Sequence, residues 1–142
     1  MDLYNVMDIA GSAMSAQSVR LNTTASNLAN ADSISSSTDQ TYKARHPVFA
    51  AIQRAIGSQG IGGSAGIGGV QVKGIVESNT PVRPLYQPDH PQADADGYIF
   101  QPNVNMMEEM ANMISASRSY QTNVQVANTA KQLLARTLQL GQ

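Results

Sequence analysis

The chain has 142 residues, a net charge of −1 and only 13% charged side chains, with nine Lys and Arg scattered along it. That length supports one ordinary domain with a modest core. The dispersed charge excludes the basic footprint that nucleic acid or an acidic membrane surface calls for. The absence of cysteine excludes disulfide staples and thiolate metal sites, and no apolar run approaches the roughly 18 residues needed to span a bilayer.

Hydrophobic residues make up 42% of the chain but aromatic ones only 5%. Much of the apolar content is Ala and Met, which suits helix packing better than a large sheet core. The opening "MDLYNVMDIAGSAM" lacks the basic and apolar regions of a cleavable signal. The expectation is a chain that stays in the cytoplasm or is exported by a route that removes nothing.

In chain order, the first predicted element is a helix over 2–30. Leu3, Met7, Ala10, Met14, Leu21 and Leu28 fall on spacings of three and four, with Gln17 and Thr24 completing the register. Val6, Ile9, Ala13 and Ala16 widen the apolar face, and Asp2 is a candidate cap. Residues 31–45 read as a polar linker, almost all small or polar before Tyr42. Residues 46–102 hold all six prolines and most of the glycines, and are predicted to form a small β-rich domain. Within it, His46–Ile56 tilts to extended after its Pro-led start, Val70–Ser78 and Gly97–Pro102 read as strands, and the Gly-rich 57–69 reads as a loop.

Residues 103–142 form the closing helical segment. Met110, Met113, Tyr120, Val124, Ala127, Leu134 and Leu138 repeat the three-four spacing, with Ser117 and Lys131 as polar members. Asn105 is a good N-cap with Glu108 three residues on. Neither helix could bury its stripe alone, so each needs the other end or another chain. The fold class is α+β: long terminal helices paired as a coiled-coil-like core, with a small β-rich middle.

Several motifs tempt and fail. Gly62-Gly63-Ser64-Ala65-Gly66 matches a nucleophile elbow, but glycines flank it on both sides and no large sheet can stand behind it. Gly60–Ala65 fits a loose dinucleotide pattern, yet Gly66, Gly68 and Gly69 forbid the helix that must follow. Gln92–Gly97 resembles half of a calcium loop, but its first ligand would be Gln and its twelfth Asn103, so an Asp-Gly turn is the better reading. His46 and His90 lack a second ligand, Glu108-Glu109 serves the positive end of a helix, and the Met-rich 105–114 suits core or an adaptable interface. No catalytic, cofactor-binding or metal-ligating set emerges, and no cofactor is expected.

Two stretches carry a resemblance. "SNLANADS" followed by "TYKAR" resembles the N-terminal motif of the bacterial flagellar axial proteins, and "SYQTNVQVANTAKQLLARTLQLG" resembles their closing helix. Tyr86–Val124 narrows this to the flagellar basal-body rod protein family, and within it to members of the proximal rod. The resemblance implies a structural subunit of the torque-transmitting rod, in the periplasm. It implies export unfolded through the flagellar type III apparatus without a cleaved peptide, and partnership with neighbouring rod proteins and copies of itself. The scattered charge and the lack of a spanning apolar run add the expectation of no nucleic-acid partner and no direct membrane insertion.

Asn27, Leu28, Ala29 and Asn30 match the N-terminal motif, and Tyr120, Asn123 and Val124 the C-terminal one. All of these but Ala29, with the stripe residues Leu3, Met7, Met14, Leu21, Met110, Met113, Leu134 and Leu138, form the expected assembly interface. The Ser-rich patch after the first helix is expected to order only against neighbours. The alternative is an exported coiled-coil adaptor or effector, which shares the paired helical ends and differs in not joining an ordered polymer.

Overall fold

A computed structural model describes residues 3–54 and 66–140. The element order is α1 (Leu3–Ala29), β1 (Arg45–Arg54), β2 (Gly66–Glu77), β3 (Arg83–Tyr86), β4 (Tyr98–Gln101) and α2 (Met106–Leu140). Strands β1 and β2 form one two-stranded sheet, and β3 and β4 another. The α+β class therefore holds, with long helices at both ends and strands between them. No helix among the described residues is long and apolar enough to cross a membrane.

Each helix ends where its sequence says it should. Asn105 Oδ1 accepts hydrogen bonds from the backbone N–H of Met107 at 3.2 Å and Glu108 at 3.5 Å, so it is the N-cap of α2. The last turn of α1 tightens through short backbone bonds, Asn30 N to Asn27 O at 3.3 Å and Ala31 N to Leu28 O at 3.2 Å. The Asn30 side-chain amide donates to Ser26 O at 2.8 Å, the same carbonyl that accepts from the Asn30 backbone N–H at 3.2 Å. The Asp2 cap and the Gly-x-Ser-x-Gly serine, Ser64, lie outside the described residues.

The chain divides into two compact units. One is built from Met1–Val19, Val48–Gly74 and Ser115–Gln142, the other from Arg20–Pro47 and Ile75–Ile114. This differs from the sequence reading, which separated helical ends from a β-rich middle: each unit takes part of both helices and part of the strand region. β2 begins at Gly66, so Gly66–Gly69, expected as the end of the Gly-rich loop, are strand, and the remainder of that loop, 57–65, lies outside the described residues.

In the first unit the buried side chains of the helices are alanines: Ala10 and Ala16 on α1, Ala116 and Ala130 on α2. In the second the buried helical side chains are mostly polar: Thr23, Thr24, Asn27 and Glu109. Here Arg20 Nη2 of α1 donates to Asn112 Oδ1 of α2 at 2.9 Å. On α2, burial follows Glu109, Ala116 and Ala130, spaced by seven and fourteen. That line runs one residue ahead of the Met110–Ser117–Val124–Lys131–Leu138 line of the sequence pattern.

The second unit also holds the β3–β4 pair, antiparallel with Arg83 opposite Gln101 and Tyr86 opposite Tyr98. Ile99 on β4 is its fully buried apolar side chain. The turn before β4 is the expected Asp-Gly turn. Asp94 Oδ1 accepts from Asp96 N at 3.0 Å and Tyr98 N at 2.8 Å. Gly97 sits at φ +81°, and a Cβ there would lie 3.0 Å from the Tyr86 ring. The carboxylate that resembled a calcium ligand is thus engaged with backbone.

The candidate assembly subunit and its two clasps

The residues from Ser26 to Arg45 form a hydrogen-bonded clasp inside the second unit. Asn27 is fully buried at the end of α1. Its Oδ1 accepts from Arg45 N and from Tyr42 OH, both at 2.9 Å. Its Nδ2 donates to Arg45 O at 2.9 Å. One side chain therefore satisfies both backbone groups of the first residue of β1. Tyr42 OH lies a further 3.2 Å from Ser26 Oγ, and the Arg45 guanidinium sits over the Tyr42 ring at 5.5 Å from its centroid. Asn103 extends the arrangement, accepting from Ala44 N at 2.7 Å and donating to Thr80 O at 2.6 Å.

The Ser-rich patch is ordered within the same unit, against the expectation that it would wait for neighbours. Ser35 pairs with Phe100 in both directions, at 3.1 and 2.9 Å. Thr41 is buried and donates from its hydroxyl to Ser37 O at 2.7 Å. The physical reason is that Ser and Thr hydroxyls supply local hydrogen bonds that replace an apolar core.

The first unit has a clasp of its own. Ser12 Oγ on α1 donates to Ile9 O at 2.8 Å and accepts from Val70 N of β2 at 3.1 Å. Gly69 is buried at φ +140°, and a Cβ there would come within 2.6 Å of Ser12 Oγ. Glycine is what lets β2 approach the helix. Beside this contact lies an apolar groove of about 290 Å³, lined by Ile9, Ala13, Phe49, Ala50 and Val70 among others.

The expected interface residues are distributed as follows. Leu3, Met7, Met14, Leu21, Leu28, Asn30, Met113, Asn123, Val124 and Leu134 are half-buried in the chain. Met110, Tyr120 and Leu138 are exposed, Leu138 at 73%. Asn27 alone of the set is fully buried, and its three hydrogen bonds all close on its own chain. Asn123 spends its amide on Ser119 O at 2.9 Å, within α2. Leu3, Met7 and Met14 share a unit with Tyr120, Asn123, Val124, Leu134 and Leu138; Leu21, Asn27, Leu28 and Asn30 share the other with Met110 and Met113. Sequence reasoning missed Ser12, Tyr42 and Asn103 as fixing groups. The signal was available in part: Asn27 is an amide placed beside the apolar stripe of a helix, where a buried amide requires partners.

The ends of the chain match two profiles, one of the "Flagella basal body rod protein" family over residues 7–33 and one of the "Flagellar basal body rod FlgEFG protein C-terminal" family over 95–140. These cover the helical ends and define the class, an axial protein of the flagellar basal body. Over its full 142 residues the chain is 50% identical to the flagellar basal-body rod protein FlgC of Escherichia coli O6:H1, covering 100% of both chains. It is 49% identical to the protein of that name from Salmonella typhimurium and 50% to that from Yersinia enterocolitica, again over 100% of both. The chain belongs to the flagellar basal-body rod protein FlgC family. Full-length identity of this order to rod proteins leaves the adaptor alternative without support.

Proposed function

We propose that this chain is a structural, non-enzymatic subunit of the proximal part of the flagellar rod. It works by being held between neighbours and transmitting torque through them. Beside the family relation, the observation that carries this reading is apolar side chain left uncovered on both helices: Tyr4 on α1 and Met107, Met110, Ile114, Leu133 and Leu138 on α2 are 45–76% exposed, and exposed apolar surface of this kind marks an interaction surface.

The exposed Met110, Tyr120 and Leu138 and the half-buried Leu3, Met7, Met14, Leu21, Leu28, Asn30, Met113, Asn123, Val124 and Leu134 are the surface offered to neighbouring rod subunits. Asn27 acts one step removed, by fixing where β1 leaves α1. The subunit reaches its place through the flagellar type III export apparatus without losing a peptide, and assembles in the periplasm. The test is complementation of a strain lacking its own proximal-rod subunit. The chain should restore swimming and appear in purified basal bodies. Swimming without incorporation, or export without either, would overturn the reading.

A further inference from the structure

Asp96–Gly97 is the one place in the chain where an Asp or Asn precedes a Gly. In a flexible chain that pair is chemically labile, because glycine carries no side chain to keep its nitrogen from the preceding carboxyl. The Gly97 nitrogen attacks Asp96 Cγ. An N–C bond forms, the carboxyl OH leaves as water with the Gly97 N–H proton, and a succinimide ring closes. Water then opens the ring at either carbonyl. Opening at Cγ restores aspartate; opening at the main-chain carbonyl carbon leaves isoaspartate, with the chain routed through Cγ and one carbon longer.

The fold stands across this path. Asp96 is exposed, so burial does not keep water from its carboxyl, whereas Gly97 is buried. The Gly97 N–H donates to Asp94 O at 3.1 Å and its carbonyl accepts from Gln87 N at 2.9 Å. A succinimide nitrogen is planar and holds Cγ in the direction its proton had, so the Asp94 carbonyl occupies the approach that Cγ must take. Asp94 Oδ1 fixes the residues on either side through Asp96 N and Tyr98 N. The Tyr86 ring and Pro88 stand 3.0 and 3.2 Å from where a Gly97 Cβ would lie, which restricts rotation of that peptide.

We propose that Asp96–Gly97 is a site of spontaneous isomerisation, and that the Asp94 turn is the device that holds it closed in the folded subunit. The added carbon would enter the main chain just before β4, which carries the buried Ile99. None of this depends on what the subunit assembles with, so it stands apart from the rod reading.

The purified chain is incubated in native buffer and in urea at one pH and temperature, digested, and the isoaspartate at residue 96 quantified by mass spectrometry. Isomerisation is expected to be at least tenfold slower in the folded chain than in urea. Asp94→Ala, with its fold checked by circular dichroism, should lose most of that difference. Asp96→Glu, whose ring would need a sixth member, should give no product in either state and so assigns the signal. If Asp94→Ala does not fold, Asp94→Ser takes its place: its hydroxyl supports the same turn more weakly, and it must isomerise faster than the parent. A folded parent within threefold of the urea rate, product in Asp96→Glu, or a folded Asp94 variant no faster than the parent would overturn the proposal.

Discussion

Replacing Asn27 by Ala removes three hydrogen bonds at once: two accepted by Oδ1, from Arg45 N and Tyr42 OH, and one donated to Arg45 O. A net contribution of about 0.5–1.5 kcal/mol per bond sums to roughly 2–4 kcal/mol. The upper part of that range applies if the Arg45 backbone groups find no water, the lower part if the Tyr42 hydroxyl falls back on Ser26 Oγ, 3.2 Å away. Against a total stability of about 5–15 kcal/mol, this is a large local loss. Hydrogen exchange at the Arg45 amide reads it directly and should accelerate roughly 30- to 700-fold. Asn27→Asp sharpens the test, because it keeps an acceptor for Arg45 N–H but turns a second carboxylate oxygen toward the Arg45 carbonyl. Burial and that carbonyl raise the N27D carboxyl pKa above its unfolded value of about 3.9. Its contribution is therefore present below about pH 4 and lost as pH rises. N27D should approach the parent protein at pH 4 and resemble N27A at pH 7. An Arg45 amide slowed or accelerated less than threefold in N27A would refute the clasp.

Gly69→Ala should lower the melting temperature, because φ +140° and a Cβ 2.6 Å from Ser12 Oγ together cost about 1–3 kcal/mol. Ser12→Ala, losing the bond from Val70 N and the one to Ile9 O, should cost about 1–2 kcal/mol by the same melt. Glu77→Gln breaks the Arg45–Glu77 ion pair, whose side chains are 49% and 54% exposed; urea titration should register less than about 1 kcal/mol, and a larger loss would make that pair part of the clasp. Leu134→Asp sets a carboxylate at a half-buried position of α2 and should abolish swimming in the complementation assay, whereas Ser64→Ala should leave it unchanged.

The two helices were legible because three-four spacing runs through Leu3–Leu28 and Met110–Leu138, and because Asn105 is a cap by chemistry. The Asp94–Gly97 turn was equally readable from residue type. β3 was missed: four residues led by Arg83 and Pro84 carry no alternation, and a proline in a strand argues against one until its edge position is known. The partners of the Asn27 clasp were not legible for a different reason. Its partners stand 15 and 18 residues away, and two of its bonds go to backbone, which has no signature in residue type. The line buried within the chain on α2, Glu109, Ala116 and Ala130, was not legible either, because a hydrophobic pattern ranks Met above Ala and gives no weight to Glu.

Five of the seven buried apolar residues among those described are alanine. Alanine brings little hydrocarbon out of water, so cohesion within the subunit leans on directional hydrogen bonds more than on buried oil. Exposure of apolar surface is what gives unfolding its large heat capacity. A subunit built this way has a shallow stability curve, with its free energy varying little from cold to warm. If neighbours cover the exposed apolar side chains as proposed, their contacts would bring apolar burial and, with it, a steeper temperature dependence than the lone chain has.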